Sequence, residues 1–287
     1  KKGYKRIIVK SPKELDLLSQ KRVFDFFQKE KPDYAIIPSY KSGSISANIK
    51  SPAEFIYENL VVQNNIIHGA YLNNVKKLLT IGASCAYPKN TSQPIKEEYL
   101  LISELEKTSE PYSVAKISEI IMCQAYNKQY GVKFISVIPA TLYGPGDSFD
   151  LEKSHVLSAM IRKFHEAKIK NEKEITLWGS GNPKREFIYV DDFAEACVFL
   201  MNTGTEFDLF NIGTGKDLTI KGLANLIKRV VGFSGKIKWD ISKPDGTMRK
   251  LLDNKRIKSL GWNPKIEFEQ GVEKTYKWFI DNYNNLV

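Results

Sequence analysis

Tyr112-Ser113-Val114-Ala115-Lys116 follows, some thirty residues on, an apolar and strand-like run, Lys77-Leu78-Leu79-Thr80-Ile81-Gly82-Ala83-Ser84-Cys85. Tyrosine and lysine four residues apart share one face of a helix. An ammonium held near a phenol favours the phenolate and draws a tyrosine down from its ordinary pKa of about 10. Such a phenol can hand a proton to a carbonyl oxygen as a hydride arrives. A Tyr-x-x-x-Lys alone occurs by chance on many surface helices, so its meaning depends on what surrounds it.

Outward from that pair, strand-like and helix-like segments alternate. Strands are predicted at Arg6–Val9, Tyr34–Ile37, Lys77–Ile81 and Lys133–Ile138. Helices are predicted at Ser19–Glu30, Ser51–Leu72 with Pro52 at its start, and Tyr112–Tyr130. The alternation predicts an α/β fold, a doubly wound Rossmann-type parallel sheet. After Tyr143-Gly144-Pro145 the spacing loses regularity. Helices Val156–Ala167, Leu223–Val231 and Val272–Asn282 then read as a smaller C-terminal lobe. Asp191–Met201 reads as a helix that returns to the main domain. Residues 1–150 form the expected first domain and 151–287 the lobe, with 187–202 returning to the first.

The chain of 287 residues can bury a large core. No apolar run approaches the ~18 residues of a membrane-spanning helix. The basic start, Lys1-Lys2-Gly3-Tyr4-Lys5-Arg6, leads into no apolar stretch of the signal-peptide kind. Cys85, Cys123 and Cys197 are odd in number, widely spaced and without a C-x-x-C pair. That argues against a disulfide framework or a metal site and fits a reducing cytoplasm. The net charge of +10 suggests anionic partners. The lysines are scattered among Glu and Asp and no nucleic-acid module is recognisable, so nucleic acid is not expected. The excess reads as solvated surface, with a few cations serving nucleotide phosphates.

Further motifs occur in order: Ser84-Cys85-Ala86-Tyr87-Pro88-Lys89, Glu110-Pro111-Tyr112, Leu142-Tyr143-Gly144-Pro145, Ser154-His155-Val156, Trp178-Gly179-Ser180-Gly181, Arg185-Glu186-Phe187, Val190-Asp191-Asp192, Asn211-Ile212-Gly213-Thr214-Gly215 and Lys243-Pro244-Asp245-Gly246-Thr247. Together they resemble the GDP-L-fucose synthase family, a branch of the extended short-chain dehydrogenases/reductases. The resemblance runs from about Gly3 to the C-terminus. It implies NADPH-dependent reduction at C4 of a GDP-4-keto-sugar, with epimerisation at C3 and C5, giving a GDP-L-sugar. It makes residues 1–150 a dinucleotide-binding domain and 151–287 mainly a nucleotide-sugar-binding lobe. A homodimer formed by the two long helices, Ser51–Leu72 and Tyr112–Tyr130, is implied as well.

The resemblance assigns roles residue by residue. Tyr112 is the proton donor to the C4 oxygen, and Lys116 supports it and holds the nicotinamide ribose. Cys85 and His155 match the pair that moves protons at C3 and C5. Those protons are acidified through an enolate, and inversion needs a base on one face and an acid on the other. Cysteine and histidine both titrate within reach of neutral pH. Lys163, Trp178, Arg185 and Asp245 match positions that contact the GDP-sugar. Trp178 offers a flat face for stacking, and Lys163 and Arg185 can neutralise a diphosphate. Arg162 and Arg249 are neighbouring cations without an assigned role. Gly82, Ala83, Pro139, Thr141 and Leu142 match the cofactor-lining positions. Lys10 and Lys13 follow the first strand, where a 2′-phosphate would lie. No acidic residue stands at that strand's tip, so NADP is expected rather than NAD.

Four departures stand against a simple transfer. The family's serine that hydrogen-bonds the C4 carbonyl is Ala83, and loss of one such donor costs about 2–4 kcal/mol of barrier. Either Ser84 or a water substitutes, or the protein is slow. The family asparagine before Leu142 is Thr141, so the sugar can differ from the usual one. Ile37-Pro38-Ser39-Tyr40 replaces a small turn that hugs the cofactor, with Tyr40 bulky there. No G-x-x-G-x-x-G occurs anywhere in the sequence. The chain is therefore expected to be N-terminally incomplete; the alternative is a naturally shortened homologue that does not bind cofactor. Two rival functions stay open: C4 reduction alone on a related GDP-keto-sugar such as a heptose, and a non-catalytic nucleotide-sugar-binding protein.

Overall fold

The computed structural model describes residues 3–38, 40–151, 154–243 and 245–286. In chain order its elements are α1 Gln20–Glu30, β1 Tyr34–Ile37, α2 Ile45–Lys50, α3 Pro52–Leu72, β2 Lys77–Ile81, α4 Glu110–Tyr130, β3 Phe134–Pro139, β4 Thr141–Tyr143, α5 Val156–Ile169, β5 Glu174–Trp178, β6 Lys184–Tyr189, α6 Val190–Asn202, β7 Leu209–Ile212, β8 Asp217–Thr219, α7 Ile220–Val231, β9 Lys236–Asp240, β10 Arg249–Lys250, α8 Lys255–Ser259 and α9 Phe268–Leu286. Among them no helix is long and apolar enough to cross a membrane.

The main sheet runs β1-β2-β3-β7 and is parallel throughout, with Leu78 opposite Phe134 and Ser136 opposite Leu209. β2 and β3 are covered on both faces, which explains why both read as continuous apolar runs rather than alternating ones. Leu79, Ile120, Val137, Ile138 and Phe210 form the core between this sheet and α4 and α6. A fully buried side chain of this size stabilises the fold by about 1.5–3 kcal/mol. Ser19 caps α1 by accepting from the Arg22 amide, Pro52 occupies the first turn of α3, and Gly131 ends α4 in the left-handed region at φ 67°.

Arg6–Val9 is not a strand. Ile7 is 72% and Val9 80% exposed, and no described residue pairs with them. A run rich in β-branched residues favours extended backbone, but it becomes a strand only where a neighbour offers a ladder. β1 is the edge of the main sheet among the described residues, with Tyr34 and Ile36 largely exposed.

The second half builds a mixed sheet, β10-β6-β4 with β8 antiparallel on β6, and a two-stranded ribbon of β5 and β9. α5, α7 and α9 cover it through Phe164, Leu223, Ile227, Val272 and Phe279. α6 lies with the first core instead, through Phe193, Ala196, Cys197 and Leu200. Its last turn is tied to β2, where the Lys77 ammonium donates to the carbonyls of Leu200 and Thr203, each at 2.7 Å. α7 and α9 begin three and four residues before the predicted starts. Thr219 caps α7 by accepting from the Gly222 amide, and the first residues of the two helices, Ile220 and Phe268, pack on the core of this half.

Candidate active site

The first turn of α4, Glu110-Pro111, leads into Tyr112, one turn before the lysine that reaches the carboxyl end of β2. Tyr112 is 8% exposed and packs edge-to-face on Phe55 of α3, with ring centroids 5.9 Å apart. One turn on, Lys116 is buried and its Nζ donates to the Ile81 carbonyl at 3.0 Å and to Glu119 Oε2 at 2.8 Å. Ile81 is the last residue of β2, so this bond fixes the lysine at the strand end. Gly82 then leaves the strand close against β3. A Cβ there would stand 3.2 Å from the Ile138 side chain and 3.3 Å from the Val137 carbonyl.

Ala83 is extended, and Ser84-Cys85-Ala86 form a single 3₁₀ turn that lies against α4. The rule that neighbouring strand residues face opposite sides therefore does not govern Ser84, because β2 has already ended. The turn is anchored at its exit, where Tyr87 Oη donates to Asn211 Oδ1 at 2.7 Å. Cys85 is half-exposed. Burial removes the other two thiols from competition by pushing Cys123 and Cys197 each up to about 12. Pro139 closes β3, and half-exposed Thr141 and Leu142 open β4 beside it.

The second group lies on the C-terminal half. Trp178 ends β5 and is 67% exposed. The Lys163 ammonium from α5 stands 5.9 Å from its ring centroid, and that of Lys243 5.5 Å. Burial holds Lys163 below the usual lysine range. Asp245 accepts from the Ser180 amide and hydroxyl, each at 2.7 Å, and these two donors hold its carboxyl below the usual range. Gly179 allows this contact, since a Cβ there would overlap the Asp245 carboxylate. Arg185 is next along: burial lowers it and Asp245 pulls it back up.

Lys250 joins the two groups. It sits on β10 opposite Arg185 of β6. Burial lowers its ammonium, and the nearby Cys85 favours the charge. A line of side chains thus runs from Cys85 through Lys250 and Arg185 to Asp245, Ser180 and Trp178.

Some expected residues stand apart. His155 is the exposed N-cap residue of α5 and makes no capping bond. Lys10 pairs with Glu14 at 3.6 Å and Lys13 is exposed, both in the segment before α1. Tyr40 is exposed, and Ser39 and Pro244 lie outside the described residues. Arg162 is held by Glu166 and the Phe149 carbonyl, and Arg249 by Asp217 at 2.5 Å, so neither is free to serve the cleft. Two motifs are architectural. Glu186 accepts from the amides of Gly215 and Leu252, and Gly213 is required because a Cβ would overlap that carboxylate. Sequence reasoning missed Glu119 and Lys250. Glu119 had a signal, a charge three residues beyond Lys116 in an otherwise apolar stretch. Lys250 had none, since a pairing with a strand far away in sequence places it.

The model of the NAD dependent epimerase/dehydratase family matches residues 2–213. The chain belongs to that family. It is 50% identical to GDP-L-fucose synthase 1 of Arabidopsis thaliana over 283 residues, covering 99% of this chain and 88% of that one. Its fold is similar to a GDP-6-OMe-4-keto-L-xylo-heptose reductase from C. jejuni, with TM-score 0.91 and 38% identity over 98% of this chain and 91% of that one. It is also similar to a GDP-L-fucose synthetase from Naegleria fowleri bound to NADP, with TM-score 0.90 and 28% identity over 96% and 85% of the two chains.

Proposed function

We propose that the chain is an NADPH-dependent reductase that converts a GDP-4-keto-6-deoxy sugar to a GDP-L-sugar, with epimerisation at C3 and C5. One observation carries this reading: the buried Tyr112–Lys116 pair is fixed at the end of β2 by the bond to Ile81, beside the turn that presents Cys85. Half-identity to a GDP-L-fucose synthase supports it. Residues 1–150 serve the dinucleotide and 151–287 mainly the nucleotide-sugar.

The described residues fit the nicotinamide half of the cofactor. Lys116 has spent two of its three N–H groups on Ile81 and Glu119, which leaves one for a ribose hydroxyl. Gly82, Ala83, Pro139, Thr141 and Leu142 line the adjoining strand ends. The relative bound to NADP supports NADPH as the cofactor; Lys10, paired with Glu14, and Lys13 lie in a segment that follows no strand, so the 2′-phosphate is not assigned to them. Among the described residues no glycine-rich turn leads into a helix facing these strand ends. NADPH, when bound, supplies the hydride to C4.

Tyr112 gives its proton to the C4 oxygen as negative charge develops there. Lys116 stabilises the phenolate that remains. Ser84, at the start of the 3₁₀ turn, is the hydroxyl that would donate to the same oxygen in place of the absent serine at 83. Cys85 and His155 exchange the C3 and C5 protons. At the other end Trp178 stacks on the nucleoside, Asp245 orients it, and Arg185 and Lys163 bind the diphosphate. Desolvation around both cations strengthens that attraction. The three free thiols suit a reducing cytoplasm.

A second reading, reduction at C4 alone on a related GDP-keto-sugar such as a heptose, is favoured by the likeness to the GDP-6-OMe-4-keto-L-xylo-heptose reductase. Cys85→Ser separates the two. It should stop deuterium exchange at C3 and C5, a loss of about 10²–10⁴-fold, while reduction of an already epimerised ketone continues. Loss of both steps together would make Cys85 structural. A homodimer through α3 and α4 accompanies the proposal, because Tyr57 and Leu72 on α3 and Val114 and Ile121 on α4 leave apolar side chains exposed on those helices. Light scattering should give twice the chain mass, and monomer alone at micromolar concentration would refute it.

A further inference from the structure

Glu119 has no part in the reaction proposed above, yet it is 1% exposed and its Oε2 lies 2.8 Å from Lys116 Nζ. Tyr112, Lys116, Glu119 and Cys123 follow one another on α4 at steps of four, three and four, so they form one stripe along the helix. The stripe faces the sheet. Lys116 reaches the Ile81 carbonyl of β2, and the Cys123 thiol meets the hydroxyls of Thr80 and Ser136, themselves 3.0 Å apart. The titratable groups around Glu119 among the described residues are Lys116 and Cys123 on its own helix, with Tyr112 farther along; β2 and β3 bring the neutral Thr80 and Ser136 hydroxyls. A carboxylate placed there is kept at a cost in desolvation and takes its compensation from Lys116. Burial pushes the Glu119 carboxyl up and Lys116 draws it back down.

The geometry has a consequence for Tyr112. An ammonium partly neutralised by a carboxylate attracts a phenolate less than a bare one does. Reduction uses the protonated phenol, so a tyrosine that ionises too readily would lose its proton before it could donate it. We propose that Glu119 is a positioning residue that holds the Lys116 ammonium against the end of β2 and offsets its charge, so that Tyr112 keeps its proton and acts as an acid. The idea rests on the Tyr112–Lys116 reading given above and adds to it a charge that sets how much of the phenol is protonated at a given pH.

The test is a tyrosinate titration by ultraviolet difference absorbance on the full chain. The chain has 14 tyrosines, so each titration is taken as the difference between a protein and the same protein carrying Tyr112→Phe, which isolates one phenol. Glu119→Gln keeps shape and a hydrogen bond to Nζ while removing the charge. Seven residues separate Glu119 from Tyr112, roughly 10 Å along the axis. At that distance removing one charge should lower the Tyr112 midpoint by about one pH unit, or about tenfold more tyrosinate at a given pH below it. Glu119→Asp withdraws the carboxylate by one methylene and should move the midpoint the same way by a smaller step, and it carries the test if the glutamine variant does not fold. Midpoints that coincide within about 0.3 pH units, or that rise, overturn the proposal. The titration needs neither substrate nor cofactor, so it is decided separately from the reductase reading. If Tyr112→Phe left reduction intact, that reading would fail while the titration still reported on Glu119.

Discussion

Tyr112→Phe lowers the rate of C4 reduction by about 10³–10⁴-fold and leaves GDP-sugar affinity within about twofold of the parent. The substitution removes one oxygen and keeps the ring, so the edge-to-face contact with Phe55 and the burial of the site are retained. The lost group acts only as the proton passes to the C4 oxygen. An interaction made in the transition state and not in the ground state appears in the rate and not in binding. Steady-state rates beside a direct measurement of GDP-sugar binding check this. Equal losses in rate and affinity would mean that Tyr112 holds the substrate or the fold and is not the acid.

Ala83→Ser raises the reduction rate by about 10²–10³-fold if the missing donor at that position is what limits it. The backbone accepts the change, since Ala83 is extended at φ −146° and ψ 145° and half-exposed. Ser84 is the competing donor, and the structure makes it a better one than strand alternation suggests, because it opens the 3₁₀ turn instead of continuing β2. Rates for Ala83→Ser and Ser84→Ala separate the cases. A large gain in the first and no effect in the second marks position 83 as the defect. No gain in the first with a large loss in the second shows that Ser84 has taken over, and Ala83 is then not a defect.

The parts legible in the sequence were those whose signals are local. β2 and β3 are apolar runs bounded by turn residues, and burial on both faces of a parallel sheet produces that pattern. Tyr112 and Lys116 are one helical turn apart, and spacing alone puts them on one face. Arg6–Val9 was misread because local preference favours extended backbone without specifying a partner. Glu119 was visible as a charge at helical spacing, but burial to 1% depends on what β2 and β3 lay over it. Lys250 enters the cleft through the pairing of β10 with β6, a contact between segments far apart in sequence. Arg162 and Arg249 were cations without an assigned role, and the structure pairs them with Glu166 and Asp217.

Reduction of a GDP-4-keto-sugar with inversion at C3 and C5 leaves an isotopic record in the product. Incubation of the protein with GDP-4-keto-6-deoxymannose and NADPH in deuterated water, followed by NMR of the sugar product, tests it most directly. The expected result is oxidation of NADPH matched by a GDP-L-sugar carrying deuterium at C3 and C5 and the transferred hydride at C4. Recovery of unchanged keto-sugar with NADPH unconsumed, or a reduced sugar without deuterium at C3 and C5, would contradict it.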